Sequence, residues 1–291
     1  MKGCFICPIY DKGKDFEYGY HLIQTAIRYT DLNDLYFIFS TQEHKDKFLG
    51  ECRRRFGRVP GSLIYEADMS DCKNPVSIKK FFGIRMLMNK YDYIATIDCE
   101  CVFVRRTDAG KLMDEIWNEN TYLACGRSVL GGRDLKNCID ALGLGDNNLL
   151  KKESTDYSCT WWFNEIPIYK SENLGEFFAW LDKDGLYDTV YYTWECFDYL
   201  VYVIWLLLYK DKHLTIYNYE SHMGMIESLC HPNTPHKYRT ERDFHTHWTS
   251  RRNLFPPNPR ISLQFHLERQ TPFFKRVKRW ILKKTGIRKP E

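Results

Sequence analysis

Short apolar runs alternate with segments of helical period through the first third of the chain, and that alternation narrows the possible folds more than any other feature. Cys4–Tyr10 (CFICPIY) is an apolar run ended by Pro8 and a polar Asp11-Lys12-Gly13 turn, so it reads as a buried strand. Asp15–Tyr29 carries Phe16, Tyr20, Ile23 and Ile27 at helical spacing. Leu35–Ser40 reads as a second strand, Gln42–Phe56 as a charged amphipathic helix and Ser62–Ala67 as a third strand. Val76–Asn89 is the next helix, with Pro75 near its start, and Tyr93–Ile97 is a fourth strand that stops at acids. Strands that alternate with helices imply parallel pairing with the helices on the sheet faces. The expected class is therefore α/β, a Rossmann-type mixed sheet flanked by helices in a single domain.

Composition supports a folded body. Hydrophobic residues make up 44% of the 291, aromatics 16% and charged residues 27%, which excludes a disordered or collagen-like chain. The eleven cysteines are scattered, with no secretory apolar region ahead of them, which leads us to expect reduced thiols in a cytoplasmic setting. Cys4/Cys7 and Cys99/Cys101 have the close spacing of zinc ligands, but they fall in strands, where cysteine acts as a small buried hydrophobe. The longest apolar run, Tyr199–Tyr209, is far short of the roughly 20 residues needed to cross a bilayer.

Beyond the fourth strand the pattern loosens. Asp108–Glu119 reads as a helix, and the glycine- and Asn/Asp-rich Gly126–Asn148 as a loop over a site. Asn173–Leu181 reads as a helix, Tyr191–Lys210 as the longest and most apolar helix, and Leu214–Tyr219 as a strand. His231–Pro259, rich in Pro, His and Arg, reads as loop. Net charge is +4, yet nine lysines and arginines crowd between Arg269 and Glu291. There Thr271–Lys284 reads as a basic amphipathic helix suited to an anionic membrane surface.

The strongest single feature is YDYIATIDCE, Tyr91–Glu100, a buried strand ending in Asp98-Cys99-Glu100. On extended backbone, residues two apart share a face, so both carboxylates converge on one point and require a cation there. Hard carboxylate oxygens suit Mn or Mg, which stabilises a departing diphosphate as a Lewis acid.

With CFICPIY as first strand, VSIKKFFGIRMLMNKYDYIATIDCE as helix and strand, and Asp98-Cys99-Glu100 at its end, the sequence resembles the GT-A glycosyltransferases. Glu100 departs from the commoner second Asp of that motif by one methylene. The resemblance implies a GT-A-like sheet and a nucleotide-sugar donor, UDP-linked in our reading. Pro8, Ile9 and Tyr10 would line the base pocket, with Tyr10 stacking, and Lys79 or Lys80 would face the phosphates. His266 would add a metal ligand, while Trp161, Trp162 and Asn164 would bind the acceptor. Glu195, at the start of the apolar helix, would be the catalytic carboxylate and Asp198, three residues on along the same face, its reserve. The boundaries that follow are 1–105 for the donor half, 106–268 for the acceptor half of the same domain and 269–291 for the basic tail.

The expected setting is bacterial capsule or lipopolysaccharide synthesis on a glycan or lipid-linked acceptor, with the enzyme peripheral on the inner membrane face. Two rival readings remain open. A non-catalytic binder of nucleic acid or anionic membrane would use the tail but leaves the acidic turn unexplained. A sugar-phosphate nucleotidyltransferase needs a Gly-rich, Arg/Lys-containing loop after the first strand, which Cys7–Lys14 does not offer.

Overall fold

The computed structural model describes residues 1–10, 15–99, 101–103, 106–118, 124–125, 134–156, 167–216, 226–228 and 263–265. Contacts group Met1–Glu227 with Asn258–Phe265 as one compact unit, which holds every element discussed below except the last residue of Ile226–Ser228. The remainder, Ser228–Pro257 with His266–Glu291, forms a second unit that lies almost wholly outside the described residues.

The first unit opens with β1 (Gly3–Pro8), α1 (Asp15–Tyr29), β2 (Leu35–Phe39), α2 (Gln42–Phe56), β3 (Gly61–Ile64), α3 (Pro75–Leu87) and β4 (Tyr93–Thr96). β1 pairs in parallel with β2 on one side and β4 on the other, and β2 pairs in parallel with β3. A fifth strand, Ile168–Lys170, adds antiparallel to β4, so the sheet runs β3, β2, β1, β4 and then this strand. This is the Rossmann-type mixed sheet that the GT-A resemblance implied. All of β1, β2 and β4 is buried, as expected of parallel strands covered on both faces.

Local signals set the helix ends. Thr41 caps α2 by accepting from His44 N at 3.1 Å, and Gly57 ends it in the left-handed conformation at φ 65°. α3 lies close on the sheet at Gly83, where an added Cβ would come within 2.5 Å of Ile38 Cδ1 and 3.1 Å of Ile6 Cδ1. Lys79 and Lys80 lie one turn before Gly83 on the same helix.

After β4 come β5 (Val102–Phe103), α4 (Ala109–Asn118), β6 (Ala124–Cys125), α5 (Asp134–Ala141) and α6 (Asn148–Asp156). Then follow β7, which is the fifth sheet strand Ile168–Lys170, α7 (Ser171–Leu181), α8 (Leu186–Tyr192), α9 (Asp198–Tyr209), β8 (Thr215–Ile216), β9 (Ile226–Ser228) and β10 (Leu263–Phe265). β10 pairs antiparallel with β5.

Two readings of the sequence need correction. Gly126–Asn148 is not all loop, because Leu135, Cys138, Ile139 and Leu142 are buried along α5 and the turn after it. Tyr191–Lys210 is not one helix either, since the chain leaves helical conformation between α8 and α9. Asn74 Nδ2 donates to Cys196 O at 2.6 Å and to Thr193 O at 3.4 Å, which ties the intervening turn to the start of α3.

Aromatic packing fixes α9 in place. Tyr202 lies 4.8 Å from Tyr169, 5.0 Å from Phe177 and 5.8 Å from Trp205, and Phe177 lies 5.7 Å from Phe81 of α3. Each such pair adds roughly 0.5–1.5 kcal/mol beyond its buried area. The cluster holds the first residue of α9 against α3.

Candidate active site

In a sheet of this order the chain runs outward through β1, β2 and β3 and then returns to place β4 on the other side of β1. The crevice at the carboxyl ends of β1 and β4 is the position where open α/β sheets bind ligands. Pro8 ends β1, and Ile9 and Tyr10 follow it; Asp98 follows β4; α3 begins above both.

Lys80 is the centre of this crevice. Its Nζ lies 3.7 Å from Asp98 Oδ1 and 3.7 Å from Asp198 Oδ1. Burial, the largest single influence, pushes the lysine pKa down, but Asp198 and then Asp98 outweigh it and hold the group charged, above the ordinary lysine value. Asp198 is buried and densely bonded. Tyr169 Oη donates to its Oδ2 at 2.5 Å, and Ser77 Oγ donates to Oδ1 at 3.3 Å. Ser77 Oγ in turn accepts from Asp198 N at 3.1 Å. Asp98 differs, with a side chain 43% exposed toward the crevice.

The same helix places Lys79 on the β1–β2 side. Its Nζ donates to Ser40 Oγ at 2.5 Å and sits 3.6 Å from the centroid of the Tyr10 ring. No carboxylate offsets its burial, which pulls its pKa down to about 8. A folded value below the unfolded one, about 10.4, means that the native state sheds this proton first, so stability rises between pH of about 8 and 10. In Lys79→Met that rise is lost relative to the wild type, as urea unfolding at about pH 7 and about pH 9.5 will show. The Tyr10 hydroxyl is buried and has no hydrogen-bond partner among the described residues.

β4 ends at Thr96, and beyond it Cys101 N donates to Asp98 O at 3.1 Å. Cys99 and Cys101 are buried on either side of Glu100. Glu100, Trp161, Trp162, Asn164 and His266 lie outside the described residues, as does the basic tail.

Among the described residues no group of three His, Cys, Asp or Glu is arranged to hold a metal ion. The charge balance nevertheless fits a cation: two carboxylates share one lysine, and only Asp98 of the three faces open space.

Glu195 and Asp198 are not neighbours on one helical face. Glu195 is exposed on the turn before α9, and Asp198 is the first residue of that helix. Sequence reasoning missed Ser77, Tyr169 and Asn74, whose partners lie between 29 and 122 residues away. It gave Trp194 no role, although its side chain is 57% exposed on the same turn and packs edge-on to Phe197 at 5.5 Å.

No protein-family model matches the sequence, and no curated protein matches it. Among solved structures the chain is similar to mouse xyloside xylosyltransferase 1 in its apo form, with 7% identity over 91% of this chain and 98% of that one and a TM-score of 0.45. An active-site mutant of LgtC shows 11% identity over 99% and 98% of the two chains, with a TM-score of 0.41. For S. aureus TarS the identity is 12% over 45% of this chain and 37% of that one, with a TM-score of 0.26. At these TM-scores the likenesses carry no weight for the reaction, which has to be read from the residues at the crevice.

Proposed function

We propose that this chain is a metal-dependent glycosyltransferase that moves a sugar from a nucleotide-sugar donor, UDP-linked, to a glycan or lipid-linked glycan. The observation that carries this reading is the meeting of Asp98, Lys80 and Asp198 at the carboxyl ends of β1 and β4. One accessible carboxylate with residual negative charge suits a divalent ion, and an adjacent fixed ammonium suits a diphosphate. Asp98, with Glu100, would hold Mn or Mg. When bound, the ion stabilises negative charge on the departing diphosphate.

The chain's own residues supply the remainder. Lys80 offers its charge toward the phosphates and keeps it because Asp198 is locked beneath it by Tyr169 and Ser77. Tyr10, with Pro8 and Ile9, lines the base pocket, and its unpartnered hydroxyl is a polar atom that a nucleobase would satisfy. Lys79 lies 3.6 Å from the centroid of that ring, and a base would stack on the opposite face. Glu195 on its exposed turn is the carboxylate offered to an acceptor hydroxyl or the anomeric carbon, and Asp198 acts through Lys80. Trp161, Trp162 and Asn164 would contact the acceptor, and the tail at 269–291 would meet an anionic membrane. No helix among the described residues is long and apolar enough to cross one.

Thermal melts with UDP-, GDP- and CMP-sugars, with and without Mn, test the donor. A UDP-sugar at about a hundredfold its Kd should raise the Tm by roughly 5 °C or more, and only when Mn is present. An absence of any shift with all three classes in Mn would contradict the reading.

A further inference from the structure

The amino ends of the parallel strands, at the opposite edge of the sheet from Asp98, border a cavity of about 1080 Å³. Lys2 leads into β1, Asp31 and Asp34 precede β2, Arg58 stands before β3, Lys90 precedes β4, and Arg106 to Lys111 lead into α4. Six cationic side chains, Lys2, Arg28, Arg58, Lys90, Arg106 and Lys111, line it against three acids, Asp31, Asp34 and Asp108.

Two of these acids have local tasks. Asp31 Oδ1 accepts from Asn33 N at 2.9 Å, and Asp108 Oδ1 accepts from Lys111 N at 2.9 Å, so each caps a turn of backbone. Among the cations Lys90 donates to Tyr36 Oη at 2.5 Å, and Lys111 pairs loosely with Glu115 at 3.8 Å. Arg28, Arg58 and Arg106 are exposed, and none has an acidic partner among the described residues. Arg28 lies over the Tyr29 ring at 5.1 Å, which orients its guanidinium and leaves its donors available. Ala109 and Gly110, at the amino end of α4, also line the cavity.

We propose that this cavity is a second ligand site, which takes a multiply charged anion bearing phosphate groups. Guanidinium groups match phosphate oxygens in pairs and stay charged at every working pH, and three of them around one cavity fit an anion with several phosphoryl oxygens better than a single carboxylate. The volume is that of a small-molecule site. The ligand is either a soluble phosphate compound or the phosphate headgroup of a lipid. The inference is independent of the donor reading, since no residue of the crevice around Lys80 takes part.

Tripolyphosphate binding, followed by calorimetry and thermal melts in EDTA, tests it. EDTA and Asp98→Ala together remove any metal-borne contribution from the donor crevice. Binding should be retained in Asp98→Ala, weakened by about tenfold in Arg58→Glu, and weakened by about a hundredfold in Arg28→Gln/Arg58→Gln/Arg106→Gln. The three arginines are exposed, and unchanged melting of the unliganded variants will confirm that they fold. Vesicles containing phosphatidic acid separate the sources: arginine-dependent vesicle binding assigns the phosphate to a lipid, and tripolyphosphate binding without it assigns a soluble ligand. Failure to bind either probe, or binding that the arginine variants leave unchanged, overturns the proposal.

Discussion

Asp98→Ala should lower nucleotide-sugar turnover by about a thousandfold or more while leaving stability within about 1 kcal/mol of the wild type. The two halves of this result have separate causes. A metal acting as Lewis acid contributes several kcal/mol to the transition state, and each 1.36 kcal/mol is a factor of about ten in rate. The fold, by contrast, gains little from Asp98, whose carboxylate is 43% exposed and 3.7 Å from Lys80, because solvent screens such a pair. Lys80 keeps Asp198 as its counter-charge in the variant. Turnover measured beside urea unfolding separates the effects, and a variant that loses stability and activity together would mark Asp98 as structural.

The second large effect is on stability. Lys80→Met should cost about 3–5 kcal/mol, because it leaves Asp198 charged and buried without its cation. The side chain of Asp198 is only 3% exposed, and the hydroxyls of Ser77 and Tyr169 do not replace a full charge. Lys80→Met/Asp198→Asn removes both charges and should recover the greater part of the loss, since replacing a whole buried pair is often close to neutral. The sign with pH follows from the raised lysine value: the contribution of Lys80 is complete below the ordinary lysine pKa and fades only in strong alkali. Urea midpoints of the two variants at neutral pH check the argument. If the double variant were no more stable than Lys80→Met, the pair would not be the source of the loss.

How far the sequence disclosed this site varied with the range of the interactions. Gln42–Phe56 was legible to both ends because its signals are local, with a threonine cap before it and a left-handed glycine after it. The strands β1, β2 and β4 announced themselves as apolar runs because both of their faces are covered. α5 carried a readable signal too, in the helical spacing of Leu135, Cys138, Ile139 and Leu142, but the surrounding Gly, Asn and Asp residues obscured it. The break before α9 has no local mark. The turn there is held by Asn74, more than a hundred residues earlier, which donates to two of its carbonyls. In the same way Asp98 stood out as the end of a buried strand, whereas its relation to Asp198 through Lys80 depends on the packing of α9 against α3. The GT-A resemblance named Lys79 and Lys80 together but could not divide them between Tyr10 and the carboxylates.

The most direct test of the metal at Asp98 is electron paramagnetic resonance of Mn titrated with protein in the presence of UDP. The free-ion signal should fall as wild-type protein is added and stay near its full height with Asp98→Ala. A signal that wild-type protein and UDP leave undiminished would contradict a metal-assisted transfer at this crevice.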